Sequence, residues 1–210
     1  MPSYAAIERE NLVDALRAAG PRADTLCAGW TTHDLAAHLV ARERRPDSGP
    51  GILVPVLASW TERVRRGYAR LPYPQLLDLI AGGPPWTSPF ALPGVDGLVN
   101  LTEHFVHCED VRRAVPGWQP RDLADGLQDA LWSLVSSRGR LLFRRAGAAV
   151  TLRTPDGRQA QVSSGPETVT IEGEPAELLL FGFGRGDHAR VKFEGGDDGM
   201  QRVRTGRYGI

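Results

Sequence analysis

The hydrophobic period of this chain changes once, near residue 147, and that change limits the folds open to it. Before it, apolar residues recur every three or four positions, as on one face of a helix; after it they alternate, as in half-buried strands. The order predicts an α+β protein of two domains, a helical bundle of four main helices over residues 1–146 and a small α/β domain over 147–210.

Within the helical part, "YAAIERENLVDALRAAG" places Ile7, Leu12, Leu16 and Ala19 on one side, and Gly20-Pro21 ends it. A second helix is expected after Thr31 or Thr32, with Thr31 and Asp34 spaced as a capping box, and it ends near Pro46. "GILVPVLASWTERVRRGYARL" reads as a third helix entered through Pro55, and "PYPQLLDLIAGG" as a short fourth segment. The stretch "GGPPWTSPFALPGVDG" is too rich in proline and glycine for regular structure, and its Trp86 and Phe90 suit a loop bordering a ligand cleft. A helix from about Val95 to Val115 and a long one over "RDLADGLQDALWSLVSSRGRLLFRRAG" complete this part. Beyond it, "AAVTLRTPDGRQAQVSS" reads as two strands about a Pro-Asp-Gly turn and "ETVTIEG" as a third; "EPAELLLFGFG" reads as a helix and "HARVKFEGGDDGMQRVRTG" as a closing hairpin.

Charge and composition exclude several functions. The 25 basic and 25 acidic residues cancel, and neither a basic stripe nor a stacking motif is present, so no nucleic-acid partner is expected. All the basic residues but Lys192 are arginine, a bias spread evenly enough to reflect a GC-rich genome. No apolar run approaches the roughly 20 residues needed to span a bilayer. "MPSYAAIEREN" lacks the pattern of a secretory signal, and Cys27 and Cys108 form no disulfide framework, so a cytoplasmic protein without a membrane partner is expected.

The segment "NLTEHFVHCEDVRRA" concentrates the chemistry. At 100° per residue Leu98, Leu101, Phe105 and Cys108 form an apolar stripe, while Glu103, His107 and Asp110 group opposite it. Glu103 and His107, four apart, lie one above the other, so one ion can take a carboxylate oxygen and an imidazole nitrogen from a single helix. The same pair also suits a solvated helix face. His104 and Cys108 share that spacing but fall at or in the apolar stripe and read as packing. A metal needs a third ligand, and His38, mid-helix between Leu35 and Leu39, is the best candidate; His33 sits in a first turn and His188 in a loop of the other domain. Asp110 suits an acceptor for a ligand histidine or a surface carboxylate.

"GWTTHDLAAHLV" followed by "EHFVHCEDVRRA" resembles the DinB/YfiT-like metal-binding superfamily, and with "VTIEGEPAELLLFGFGR" more closely the mycothiol-dependent maleylpyruvate isomerase family of actinobacteria. The resemblance implies a DinB-like helical bundle followed by a small sterol-carrier-like domain. It carries the metal ligands onto His38, Glu103 and His107. It further implies a divalent ion, zinc before nickel, iron or manganese, and mycothiol as a cosubstrate. The implied function is a transferase or isomerase in which the ion activates the thiol for attack on an electrophilic small molecule. Arg112, Arg113 and Arg185 are candidates for holding the thiol or an anionic substrate. A non-catalytic metal-dependent binding protein and a metal-dependent hydrolase are the rival readings. The family's substrate-binding residues have no identifiable counterpart here.

Overall fold

The computed structural model describes residues 3–47, 58–91 and 99–209. Two compact units divide the chain, residues 1–120 and 121–210.

In the first unit α1 (Tyr4–Ala19) begins at Ser3, whose side chain accepts from the Ala6 N–H, and ends at Gly20 with φ +74°. α2 (Thr32–Arg44) begins with the expected capping box: the Thr31 side chain accepts from the Asp34 N–H, and the Asp34 carboxylate accepts from the Thr31 N–H. Asp34 also takes Nη1 of Arg65 at 2.6 Å, which ties the cap to α3 (Ala58–Tyr68). α4 (Tyr73–Ala81) and α5 (Leu101–Arg112) complete the unit. One core joins four of these helices, with Leu12 and Leu16 from α1, Leu35 from α2, Leu76 and Ile80 from α4, and Cys108 from α5. The expected entry through Pro55, and the start of the motif helix at Val95 with Leu98 in its stripe, lie outside the described residues.

The second unit opens with α6 (Asp125–Leu142), the helix expected to close the bundle. Its apolar face, with Leu131, Leu134 and Val135 almost without exposure, packs instead within the C-terminal unit, so the boundary falls at 120/121 rather than 146/147. Gly139 makes this contact possible, since a Cβ there would fall 2.1 Å from Val162 Cγ1. Strands β1 (Ala149–Arg153), β2 (Gln159–Gln161), β3 (Thr168–Glu172) and β4 (Lys192–Gly195) form one sheet in the order β2-β1-β3-β4, with β1 and β3 parallel and the two outer pairings antiparallel. Val150, Leu152, Val169 and Ile171 share its buried face, and α7 (Pro175–Gly182) is buried along its whole length.

The closing hairpin is not formed. Only β4 is a strand, and the residues after it make α8 (Asp197–Thr205). Asp197 and Asp198 lie at its positive end and Arg202 and Arg204 at its negative end, which suits a helix dipole. Val203 alone is buried deeply as an apolar side chain, so strand-like alternation has no second face to satisfy. The α+β class, a helical N-terminal part followed by an α/β part, is as expected from the sequence.

Candidate metal centre

Two helices supply the site. α2, pinned at its start by the Thr31–Asp34 cap, carries His38 and, one turn later, Arg42; α5 carries Glu103, His107 and Asp110. Glu103 Oε1 lies 3.1 Å from His38 Nε2 and 3.3 Å from His107 Nε2. The two imidazole rings stand edge to face, 5.4 Å apart. Each of the three residues offers a ligand atom within 4.8 Å of the others, and among the described residues no further His, Cys, Asp or Glu joins them. Their side chains keep 15%, 23% and 12% exposure for His38, Glu103 and His107, which rules out a fully solvated helix face and still leaves an approach for a small ligand.

Electrostatics separate the roles of the three groups. Burial works against the Glu103 carboxylate, but Arg42, with Nε 3.5 Å from Glu103 Oε2, and the two imidazoles outweigh it and hold the carboxyl well below its usual range. Burial dominates at His38 and lowers its pKa below the ordinary 6.5, with Glu103 offsetting only part of the effect. At His107 burial favours the neutral ring, yet Asp110, Cys27 and Glu103 together push the pKa well above 6.5. Two imidazoles and a carboxylate form a donor set that suits a divalent ion such as zinc.

The surrounding groups hold this trio in place. Asp110, without exposure, accepts from His107 Nδ1 at 2.9 Å, so it is not a surface carboxylate; that bond leaves Nε2 to face Glu103. Arg42, 7% exposed, donates to Asn100 Oδ1 at 3.0 Å and stacks on Phe90, 4.3 Å from the ring centroid. Residues Cys27 to Trp30 form a turn closed by the Trp30 N–H on the Cys27 carbonyl at 2.9 Å, with Gly29 at φ +76°. Trp30 packs 5.1 Å from His38, and the Arg65 guanidinium covers the indole. From the other end of the turn, Cys27 Sγ lies 3.2 Å from Asp110 Oδ2 and 3.8 Å from His107 Nδ1.

The remaining candidates are placed differently. His104 is fully buried, with Nδ1 3.1 Å from the Ala5 carbonyl and Nε2 3.4 Å from Glu43 Oε1, and it is a structural residue. His33 Nε2 lies 3.1 Å from the Leu71 carbonyl. Arg113, 2% exposed, donates Nε to Glu109 Oε2 at 2.6 Å and stacks on Trp118 at 4.5 Å, so its guanidinium is committed to the fold rather than to a thiol. Arg112 is exposed, its Nε 3.5 Å from Glu109 Oε1. Arg185 lies in the second unit and donates to the Phe183 carbonyl; His188 ends a short 3-10 turn there. Trp86 is 89% exposed, whereas Phe90 reaches Arg42.

Fold and site define a two-unit α+β protein whose helical unit gathers an imidazole–imidazole–carboxylate trio. Residues 5–85 match the family described as the mycothiol maleylpyruvate isomerase N-terminal domain, a stretch that includes His38 and ends before Glu103. Solved structures similar to the chain include a mycothiol-dependent maleylpyruvate isomerase, 16% identical, with TM-score 0.59 over 92% of this chain and 96% of that one. A histidine-to-alanine mutant of a mycothiol-dependent maleylpyruvate isomerase gives TM-score 0.57 at 16% identity over 91% and 96%. No curated protein sequence matches significantly. The family resemblance read from the sequence is thus matched in sequence over the N-terminal segment and in fold over nearly the whole chain. No described helix is long and apolar enough to cross a membrane.

Proposed function

We propose that this protein is a metal-dependent enzyme that uses mycothiol, as a transferase or an isomerase acting on an electrophilic small molecule. One observation carries the reading: His38, Glu103 and His107 converge with no fourth protein ligand among the described residues. The match to the isomerase N-terminal domain and the likeness of fold support mycothiol as the thiol.

His38, Glu103 and His107 would hold the ion. Such an ion, with zinc as the best fit, would supply Lewis acidity that lowers the pKa of a thiol toward neutrality. The chain's own groups prepare that position. Asp110 keeps a proton on His107 Nδ1 and presents Nε2. Arg42 keeps Glu103 ionised and, through Asn100 and Phe90, fixed. Trp30 covers one side of His38 and restricts water there.

The test is elemental analysis of the purified protein, followed by assays against electrophiles with metal and mycothiol each omitted in turn. Stoichiometric metal and activity that requires both components are expected. In cobalt-substituted protein, mycothiol should give a sulfur-to-metal charge-transfer band. An unchanged cobalt spectrum at saturating thiol, or ester turnover without thiol, would refute the reading in favour of a binding protein or a hydrolase respectively.

A further inference from the structure

The turn from Cys27 to Trp30 puts one side chain beside each imidazole of the trio. Trp30 meets His38 by ring packing; Cys27 meets the His107 side through polar contacts. Cys27 Sγ lies 3.2 Å from Asp110 Oδ2, the same oxygen that lies 2.9 Å from His107 Nδ1. The thiol donates to Oδ2, and with His107 Nδ1 as a second donor the S–H and the ring N–H converge on that one oxygen. Asp110 is 0% exposed, and its carboxylate takes its orientation from protein groups. The backbone reinforces the arrangement, because the Leu26 N–H donates to the Asp110 carbonyl at 3.0 Å and so fixes the turn against α5.

We infer that Cys27 is a positioning residue for the metal centre: its thiol proton holds Asp110 Oδ2 where that oxygen secures the His107 Nδ1 proton and aims Nε2 at Glu103 and His38. The inference rests on the metal reading of the trio and adds to it a residue that touches neither ion nor substrate. Cys27 Sγ, His107 Nδ1 and Asp110 Oδ2 also lie within 4.8 Å of one another, so they resemble a second donor set. With Nδ1 protonated toward Asp110 and Nε2 serving the first ion, His107 has no lone pair left for another. The thiol therefore acts as a hydrogen-bond donor.

The experiment is zinc competition against a chelator on the full-length protein, with folding of each variant checked by circular dichroism. Wild type is expected to hold one ion per chain. Cys27→Ala removes the donor and should weaken zinc binding about tenfold, the lower end of what loss of a ligand-orienting partner costs. Cys27→Ser keeps a hydroxyl donor and should recover most of that loss, to within about threefold of wild type. In an Asp110→Asn background Cys27→Ala should add little, because the route to His107 is already broken. Should Asp110→Asn not fold, the contrast between alanine and serine decides alone. Unchanged affinity in Cys27→Ala, or serine no better than alanine, overturns the inference; so does a full effect of Cys27→Ala in the Asp110→Asn background. Two ions in wild type falling to one in Cys27→Ser would make Cys27 a ligand and overturn it as well. Wild type that binds no metal refutes the functional reading together with it, whereas bound metal indifferent to Cys27 refutes this inference alone.

Discussion

Lowering the pH should weaken metal binding through one proton, and the structure identifies which. Asp110, Cys27 and Glu103 outweigh burial and push the His107 pKa well above its ordinary range; burial lowers that of His38; Arg42 and the imidazoles hold the Glu103 carboxyl well below its usual range. An ion entering at His107 Nε2 displaces the proton there, and neither His38 nor Glu103 has one to give up on balance. At neutral pH, then, release of one proton per ion is expected. Each pH unit lost should weaken apparent affinity about tenfold, or about 1.4 kcal/mol. The slope should steepen toward two only below imidazole's ordinary 6.5, where His38 begins to bind a proton of its own. Calorimetric titration with zinc in two buffers of different ionisation enthalpy counts the protons directly. Asp110→Asn removes the strongest support of the His107 cation, so its proton release should fall below one and its pH dependence flatten near neutrality. Release of no proton or of two at neutral pH in the wild type would refute this account of the trio.

Three further outcomes are expected. His107→Ala and His38→Ala should each lose chelator-resistant metal while far-ultraviolet circular dichroism stays near wild type, since α5 packs through Leu101, Phe105 and Cys108, each at most 2% exposed. Arg113→Met should cost about 1.5–3 kcal/mol in urea unfolding, because it removes the 2.6 Å partner of Glu109, 1% exposed, and leaves Arg112 at 3.5 Å; unchanged stability would return Arg113 to the ligand-binding candidates. Gly139→Ala should destabilise by about 1–3 kcal/mol in thermal melts as its Cβ meets Val162 Cγ1, and Val162→Ala should restore part of the loss if that contact is the cause.

How much of this could be read from sequence depends on how local each signal is. Glu103 and His107 share one helix at a spacing that fixes their geometry, and His38 stands out as a polar residue on an apolar face, so the trio was legible before any tertiary structure. Arg42 follows His38 at the same spacing of four and could have been found by the same rule. Cys27 could not, because it sits in an irregular connection where no period operates, and only the docking of that turn on α5 brings it to Asp110. The ion pair of Arg113 was in view by the same rule: Glu109 precedes it by four, the orientation that favours a helical pair. The period of α6 identified an amphipathic helix without saying which neighbour its apolar face would meet, and that neighbour proved to be the C-terminal unit. In α8 the alternation around Val203 imitated a strand, while the acidic start and basic end, which favour a helix, were present in the same nine residues.

His38 and Glu103 are 65 residues apart in the chain, and that separation gives the trio a second consequence. An ion shared between α2 and α5 is a clasp on a long loop, and a clasp acts mainly on the unfolded chain by removing the conformations in which its two ends drift apart. For a loop of this length the chain-entropy relation used for disulfides gives an upper scale of about 4 kcal/mol. With an ion on this trio, the same side chains would therefore also staple the helical unit shut, and removal of that ion should loosen tertiary structure, read as a lowered melting temperature.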